Sequence, residues 1–312
     1  EDFIELVDHQ SLGQSSVYDF YDKNNLLWLG TDNGLLRYNF DDKTISRPFA
    51  ELAHTAIRVV QPGAQSGLWI GGASGLYHYD GHKLTEAPFN TDLESSFVTV
   101  IEDNDQELLI GTTGGLYLYH QEKLNRVGLG TPLFGAYITS ILTLPDEQLL
   151  VATLDDGLFI KSAEGQWQQY DSSNGLPLDP VISLWFDTES HYLWASSLKG
   201  LFRFKPQTEN NPNQPLTFET VLSPYDRQLG TAPGRCCNGA GHSKVAYWPG
   251  QLWYPSFKGL VAVPLQLTTA PDRVLQPLLQ EVMGQKSYPL VPDQQQLVLD
   301  TSDRNVSIRY SA

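Results

Sequence analysis

The sequence predicts an all-β protein: a β-propeller of six recognisable four-stranded blades, with a seventh left open, followed by an incomplete β-sandwich segment. Three observations lead there. The stretch LLWLGTDNGLLRYN at 26–39 reads as two apolar strands around a tight turn, with Asp32, Asn33 and Gly34 supplying residues that tolerate positive φ. It returns down the chain, and its Gly-Leu pair falls at 34, 75, 115, 157, 200 and 259, intervals of 41, 40, 42, 43 and 59 residues. Each copy is flanked by two further short strands separated by turn residues, and a period near 40 with four strands per unit is the pattern of propeller blades.

The first unit begins with a strand at 16–21, turns at 22–25, runs through the founding hairpin and ends in an outer strand at 45–50. Pro48 suits that outer edge, because proline cannot donate to a central ladder. The first strands of later units are expected at 57–60, 97–101, 138–142, 181–185 and 243–247. Outer strands are expected near 87–89, 126–128, 167–170 and 218–222. The sixth unit has no obvious fourth strand, and residues 3–7 (Phe3 to Val7) are the expected substitute. Pairing the two ends of the propeller, 1–270, would close the ring and hide its edges. After Pro271 the period stops, and 271–312 reads as strands at 278–283, 296–300 and 305–310, the opening of a truncated sandwich.

Bulk properties narrow the function. A net charge of −16 over 312 residues argues against nucleic acid and against an anionic membrane surface. No apolar run nears the roughly 20 residues that span a bilayer. The N-terminal EDFIELVDHQ lacks the layout of a signal peptide, so the chain reads as a soluble protein or an excised piece of a longer one. The two cysteines, Cys236 and Cys237, are adjacent. Across a trans peptide their Cα atoms would lie about 3.8 Å apart, below the usual disulfide range, so two buried free thiols are expected rather than a bond. No metal and no cofactor are expected, since no Cys/His cluster or H-E-x-x-H spacing is present.

Propellers bind ligands over the central channel, at the end where loops enter the innermost strands. The longest of these, around 227–241, accounts for the 59-residue interval and carries Arg235, Asn238 and, just after, His242. These three, with His54 and Tyr137, are the candidate ligand-binding residues; Tyr18 and Phe97 are further stacking candidates. The bland alternative is a loop that only plugs the channel mouth. No catalytic set is apparent: neither a G-x-S-x-G elbow nor a P-loop occurs. Trp28, Trp69, Trp194 and Trp253 occupy one equivalent position, exchanging with Leu109 and Leu150, which marks packing between blades rather than ligand stacking.

The unit with Leu-Trp-Leu-Gly-Thr, a variable pair and Gly-Leu resembles the two-component regulator propeller repeat. Units one to three match well. Units four to six keep Gly-Leu but replace Gly-Thr with Ala-Thr, Ser-Ser and Pro-Ser. The tail from about Pro277 resembles the start of the Y_Y_Y module, and Cys-Cys-Asn-Gly-Ala-Gly at 236–241 is similar to the last blade of sensors attached to diguanylate cyclases. The resemblance implies a non-catalytic periplasmic sensing module of a membrane receptor whose output is a diguanylate cyclase or a histidine kinase. It further implies a small-molecule ligand, commonly a carbohydrate, and homodimerisation through the Y_Y_Y region. Two alternatives remain: a propeller enzyme of the streptogramin-lyase kind with His242 as base, or a protein-interaction scaffold.

Overall fold

The computed structural model describes residues 10–266, apart from 64–66, 105, 163–164, 207–215, 224–235, 238, 240–243 and 257–258, together with three strands of the C-terminal segment. Blade 1 consists of β1 (Val17–Lys23), β2 (Leu26–Thr31), β3 (Gly34–Asn39) and β4 (Ile45–Ser46), hydrogen-bonded in that order. Blade 2 is β5 (Ile57–Pro62), β6 (Leu68–Gly72), β7 (Gly75–Tyr79) and β8 (Leu84–Glu86). Blade 3 is β9 (Val98–Asp103), β10 (Glu107–Thr112), β11 (Gly115–His120) and β12 (Lys123–Arg126). Blade 4 is β13 (Ile138–Thr143), β14 (Leu149–Thr153), β15 (Leu158–Lys161) and β16 (Trp167–Tyr170). Blade 5 is β17 (Val181–Phe186), β18 (Leu193–Ser197), β19 (Gly200–Phe204) and β20 (Glu219–Leu222). Blade 6 has three strands among the described residues, β21 (Ala246–Trp248), β22 (Gln251–Ser256) and β23 (Gly259–Pro264). Its inner strand therefore starts later than the 243–247 expected from the sequence. All strand neighbours are antiparallel, and the closing strand expected at 3–7 lies outside the described residues.

The repeat signature explains the middle hairpin of each blade. The glycine of Gly-Leu has positive φ in all six copies, from 74° to 150°, a region costly for residues with a Cβ. The Thr three or four residues earlier clamps the turn. Thr112 Oγ1 donates to the Gly115 carbonyl at 3.0 Å and accepts the Gly114 N–H at 3.1 Å, and Thr31 and Thr153 do the same in their blades. The residue before that Thr lies where the next blade's inner strand approaches: a Cβ on Gly111 would meet Ile138 Cγ2 at 2.7 Å and Val100 Cγ1 at 2.6 Å. Blades 4 and 5 fit Ala152 and Ser196 there, both buried.

Blades pack face to face through the leucine of Gly-Leu and the branched residues of the next inner strand. Leu35 meets Ile57, Leu76 meets Val98, Leu116 meets Ile138 and Leu158 meets Val181, all within continuous buried clusters. Trp28 and Trp194 are buried, as interblade packing requires, while Trp69 and Trp253 are half-buried; Trp69 Nε1 reaches across to Asp103 at 2.7 Å. The two end blades differ. Val17 and Phe20 are 41% and 52% exposed, whereas their equivalents in blades 2–5 are at most 7% exposed. Leu260 is 58% exposed against 0–2% for the other five Gly-Leu leucines. Among the described residues, the preceding-side face of blade 1 and the following-side face of blade 6 are thus left exposed.

The chain divides into two compact units, Glu1–Gln266 and Leu267–Ala312. In the second unit β24 (Leu278–Met283) pairs antiparallel with both β25 (Ser287–Pro289) and β26 (Ser307–Ser311). The strand expected at 296–300 lies outside the described residues, and β25 is too short to have shown a period in the sequence. Among the described residues no helix is long and apolar enough to cross a membrane.

Candidate ligand site at the channel mouth

Each innermost strand of blades 1–5 carries a one-residue bulge near its start. The register skips at Tyr18, Arg58, Thr99, Thr139 and Ile182. A bulge leaves its extra residue outside the ladder and re-aims it, and here the bulged residues work between blades. Thr99 Oγ1 donates to the Ile138 carbonyl at 2.7 Å, and Thr139 Oγ1 donates to the Val181 carbonyl at 2.6 Å. The next residues add further ties: Asp19 Oδ2 accepts the Val60 N–H at 2.6 Å, and Ser140 Oγ accepts the Leu184 N–H at 3.2 Å. These polar groups are buried yet satisfied, so they fix how neighbouring inner strands sit around the axis.

Arg58 is the most distinctive group at the mouth. Its guanidinium lies 4.0 Å from the ring centroid of Tyr18 on blade 1 and 5.3 Å from that of Phe97 at the start of blade 3. Two flanking aromatic faces hold the plane of the guanidinium and stabilise its charge by roughly 0.5–2 kcal/mol each. Tyr18, Arg58 and Phe97 are all half-buried, so this cation–aromatic cluster is partly open to solvent.

Tyr137, the residue before β13, is half-buried, and its carbonyl accepts the Leu154 N–H at 3.0 Å. His54 is exposed in the loop entering blade 2, with φ 62° and Nδ1 2.9 Å from Asn33 Oδ1. Each thus sits on a loop entering a different blade. Arg235, Asn238 and His242 lie outside the described residues. Arg58 escaped the sequence reading because Ile57-Arg-Val-Val60 scans as an ordinary strand with one outward polar residue. Position equivalence with Tyr18, each being the second residue of its strand, was the available signal.

The cysteines require a correction. Cys236 and Cys237 form a disulfide, not two free thiols, and both are buried. The expectation rested on the usual Cα separation of bonded cysteines, and this pair bonds outside that range: the peptide between them is cis, and the Cα atoms stand 3.0 Å apart. The pair is anchored on both sides: Cys236 bridges to Ser256 of β22, and Cys237 N–H donates to the Ser197 carbonyl of blade 5 at 2.9 Å. The disulfide therefore fixes the end of the long blade-6 loop at the seam of blades 5 and 6. Among the described residues, no three His, Cys, Asp or Glu side chains are grouped to hold a metal ion.

No family model and no curated protein matches the chain. Solved structures do. The extracellular domain of the hybrid two-component system BT4673 from B. thetaiotaomicron aligns with TM-score 0.60 and 21% identity over 84% of this chain and 34% of that one. The corresponding domain of BT3049 from the same organism gives 0.57 and 15% over 94% and 44%. Virginiamycin B lyase from Staphylococcus aureus gives 0.52 and 13% over 79% of each chain. The likeness establishes the fold. This chain is built as a six-bladed propeller, and it spans between a third and a half of the length of the two sensor chains it resembles.

Proposed function

We propose that this chain is the ligand-sensing part of a transmembrane signalling receptor, non-catalytic itself, binding a small polar molecule at the channel mouth. The observation that carries the reading is the Arg58 guanidinium held between Tyr18 and Phe97 at the end of the channel where the loops enter. A carbohydrate suits such a site: its apolar faces stack on aromatic rings while its hydroxyls accept from a guanidinium. Tyr137 and His54 border the same end, and Arg235, Asn238 and His242 would complete the site from the blade-6 loop. The likeness to two extracellular sensor domains supports the sensing role. A disulfide between Cys236 and Cys237 supports an extracytoplasmic, periplasmic location, since such bonds persist in oxidising compartments. Transmission would run through the C-terminal module, as a homodimer, to a diguanylate cyclase or histidine kinase across the membrane.

The test is isothermal calorimetry of the whole chain against mono- and oligosaccharides and other periplasmic metabolites. Saturable binding is expected, weakened at least tenfold by Arg58→Ala or Tyr18→Ala with thermal stability retained. No heat with any sugar, or binding indifferent to both substitutions, would sink the reading. A second reading, an enzyme like the lyases that share the fold, rests on the likeness to virginiamycin B lyase. It requires turnover that disappears in His242→Ala.

A further inference from the structure

The chain of hydroxyl ties around the axis breaks at blade 5. Thr99 joins blade 3 to blade 4 and Thr139 joins blade 4 to blade 5, but the bulged residue of blade 5 is Ile182, which has no hydroxyl to donate. Blade 6 supplies the missing link from the other direction. Lys244, two residues before β21, is 5% exposed, and its Nζ donates to the carbonyls of Thr139 and, at 3.2 Å, of Ile182. Both acceptors belong to bulged residues, whose carbonyls the ladder does not occupy in the regular way. One side chain thus closes two open acceptors on two other blades. The charged groups that face it among the described residues are Asp19 of β1 and Arg58 of β5, acting in opposite senses.

We propose that Lys244 is a proton-coupled latch at the channel axis: withdrawing its side chain from the Thr139 and Ile182 carbonyls takes up a proton, so acidification loosens blade 6 from blades 4 and 5. The physical basis is the difference in solvation between the two positions. At the axis burial disfavours the ammonium, Asp19 partly restores it and Arg58 opposes it, and the amine titrates at about 7. A neutral amine still carries two N–H donors for the two carbonyls, so the latched state does not need the charge. In water the same group keeps its ordinary value of 10.5. Between these limits each opening binds one proton, and opening becomes up to about tenfold rarer per unit rise in pH. Below about 7 both states are charged and the dependence flattens. This device needs no ligand and stands or falls independently of the sensing role.

Hydrogen exchange on the whole chain tests it, followed from about pH 6 to 9.5 in peptides covering 136–142, 180–186 and 244–250, corrected for intrinsic exchange. In the wild type, protection is expected to climb by up to tenfold per pH unit above about 7.5 and to level off below about 6.5. A blade-2 peptide covering 68–79 should show no such slope. Lys244→Met should abolish the slope. Lys244→Arg, charged throughout, should leave the three segments poorly protected at every pH. A flat wild-type profile, or a slope that survives in Lys244→Met, overturns the proposal. Should either variant fail to fold, the 15N shift of the Lys244 amine in the wild type decides: a midpoint near 7 supports the latch and one near 10 ends it.

Discussion

At the scale of single residues, the interior of this propeller is polar where blades meet near the axis, and not all of that polarity is well served. Glu102 of β9 reaches toward blade 4, where one carboxylate oxygen accepts the Thr143 N–H at 3.0 Å. Its other oxygen is buried and has no partner among the described residues. Burial raises its pKa above the ordinary carboxylate value, with the Thr143 N–H and hydroxyl opposing. A carboxyl whose folded pKa is raised holds its proton better in the folded state. Its stabilising effect is therefore full below the unfolded value and is lost as pH rises through the folded one. Glu102→Gln keeps an acceptor for Thr143 and removes the charge. It is expected to be more stable than the wild type by about 1 kcal/mol at pH 7 and to lose that advantage near pH 4. Urea unfolding at the two pH values measures both. An advantage that is equal at both pH values would mean that the charge is not the cause.

The cysteines, also at this scale, show why one local assumption can mislead. Two free thiols at Cys236 and Cys237 follow from the usual Cα separation of a disulfide, yet the pair is bonded with its Cα atoms 3.0 Å apart.

At the scale of the element, the sequence carries its own account of the hairpins. Gly-Thr and Gly-Leu are legible because each residue answers a requirement within the hairpin or at one fixed point of contact. Positive φ demands the glycine, and the turn's free carbonyl and amide demand the threonine hydroxyl. Thr112→Val keeps shape and removes both bonds, and it is expected to cost about 1–3 kcal/mol, with Thr112→Ser recovering most of the loss. Equilibrium unfolding of the two variants checks this. Equal losses in both would point to the methyl group rather than the hydroxyl. The bulges are a different matter. They recur at the same place in five inner strands, yet the residues there are Tyr18, Arg58, Thr99, Thr139 and Ile182, which share no property. A register skip is imposed by the backbone and leaves no mark in residue type. Consequently Arg58 looked like an ordinary strand residue, as Lys244 did in its own segment, while the period itself places Tyr137 and His54 on or beside the entering loops.

At the scale of the molecule, the interblade seams make a further claim testable. Leu76 is buried against the next blade, whereas Leu260, its equivalent in blade 6, is largely exposed. Leu76→Ala should cost roughly 2–5 kcal/mol and Leu260→Ala less than about 0.5 kcal/mol. A comparable loss at both positions in chemical denaturation would show that the face of blade 6 is covered in solution.

The sequence alone determined six repeating units, with a seventh left open, and the residues of their central hairpins, because these depend on neighbours within about forty positions and are repeated. Only the tertiary structure decided what surrounds the axis. There, Asp19, Arg58, Thr139 and Lys244 come from four different blades, and their partners are carbonyls and rings brought close by the curvature of the whole array. A contact between residues some hundred positions apart, such as Lys244 with Thr139, is set by how six sheets are arranged in space, and no local pattern encodes it.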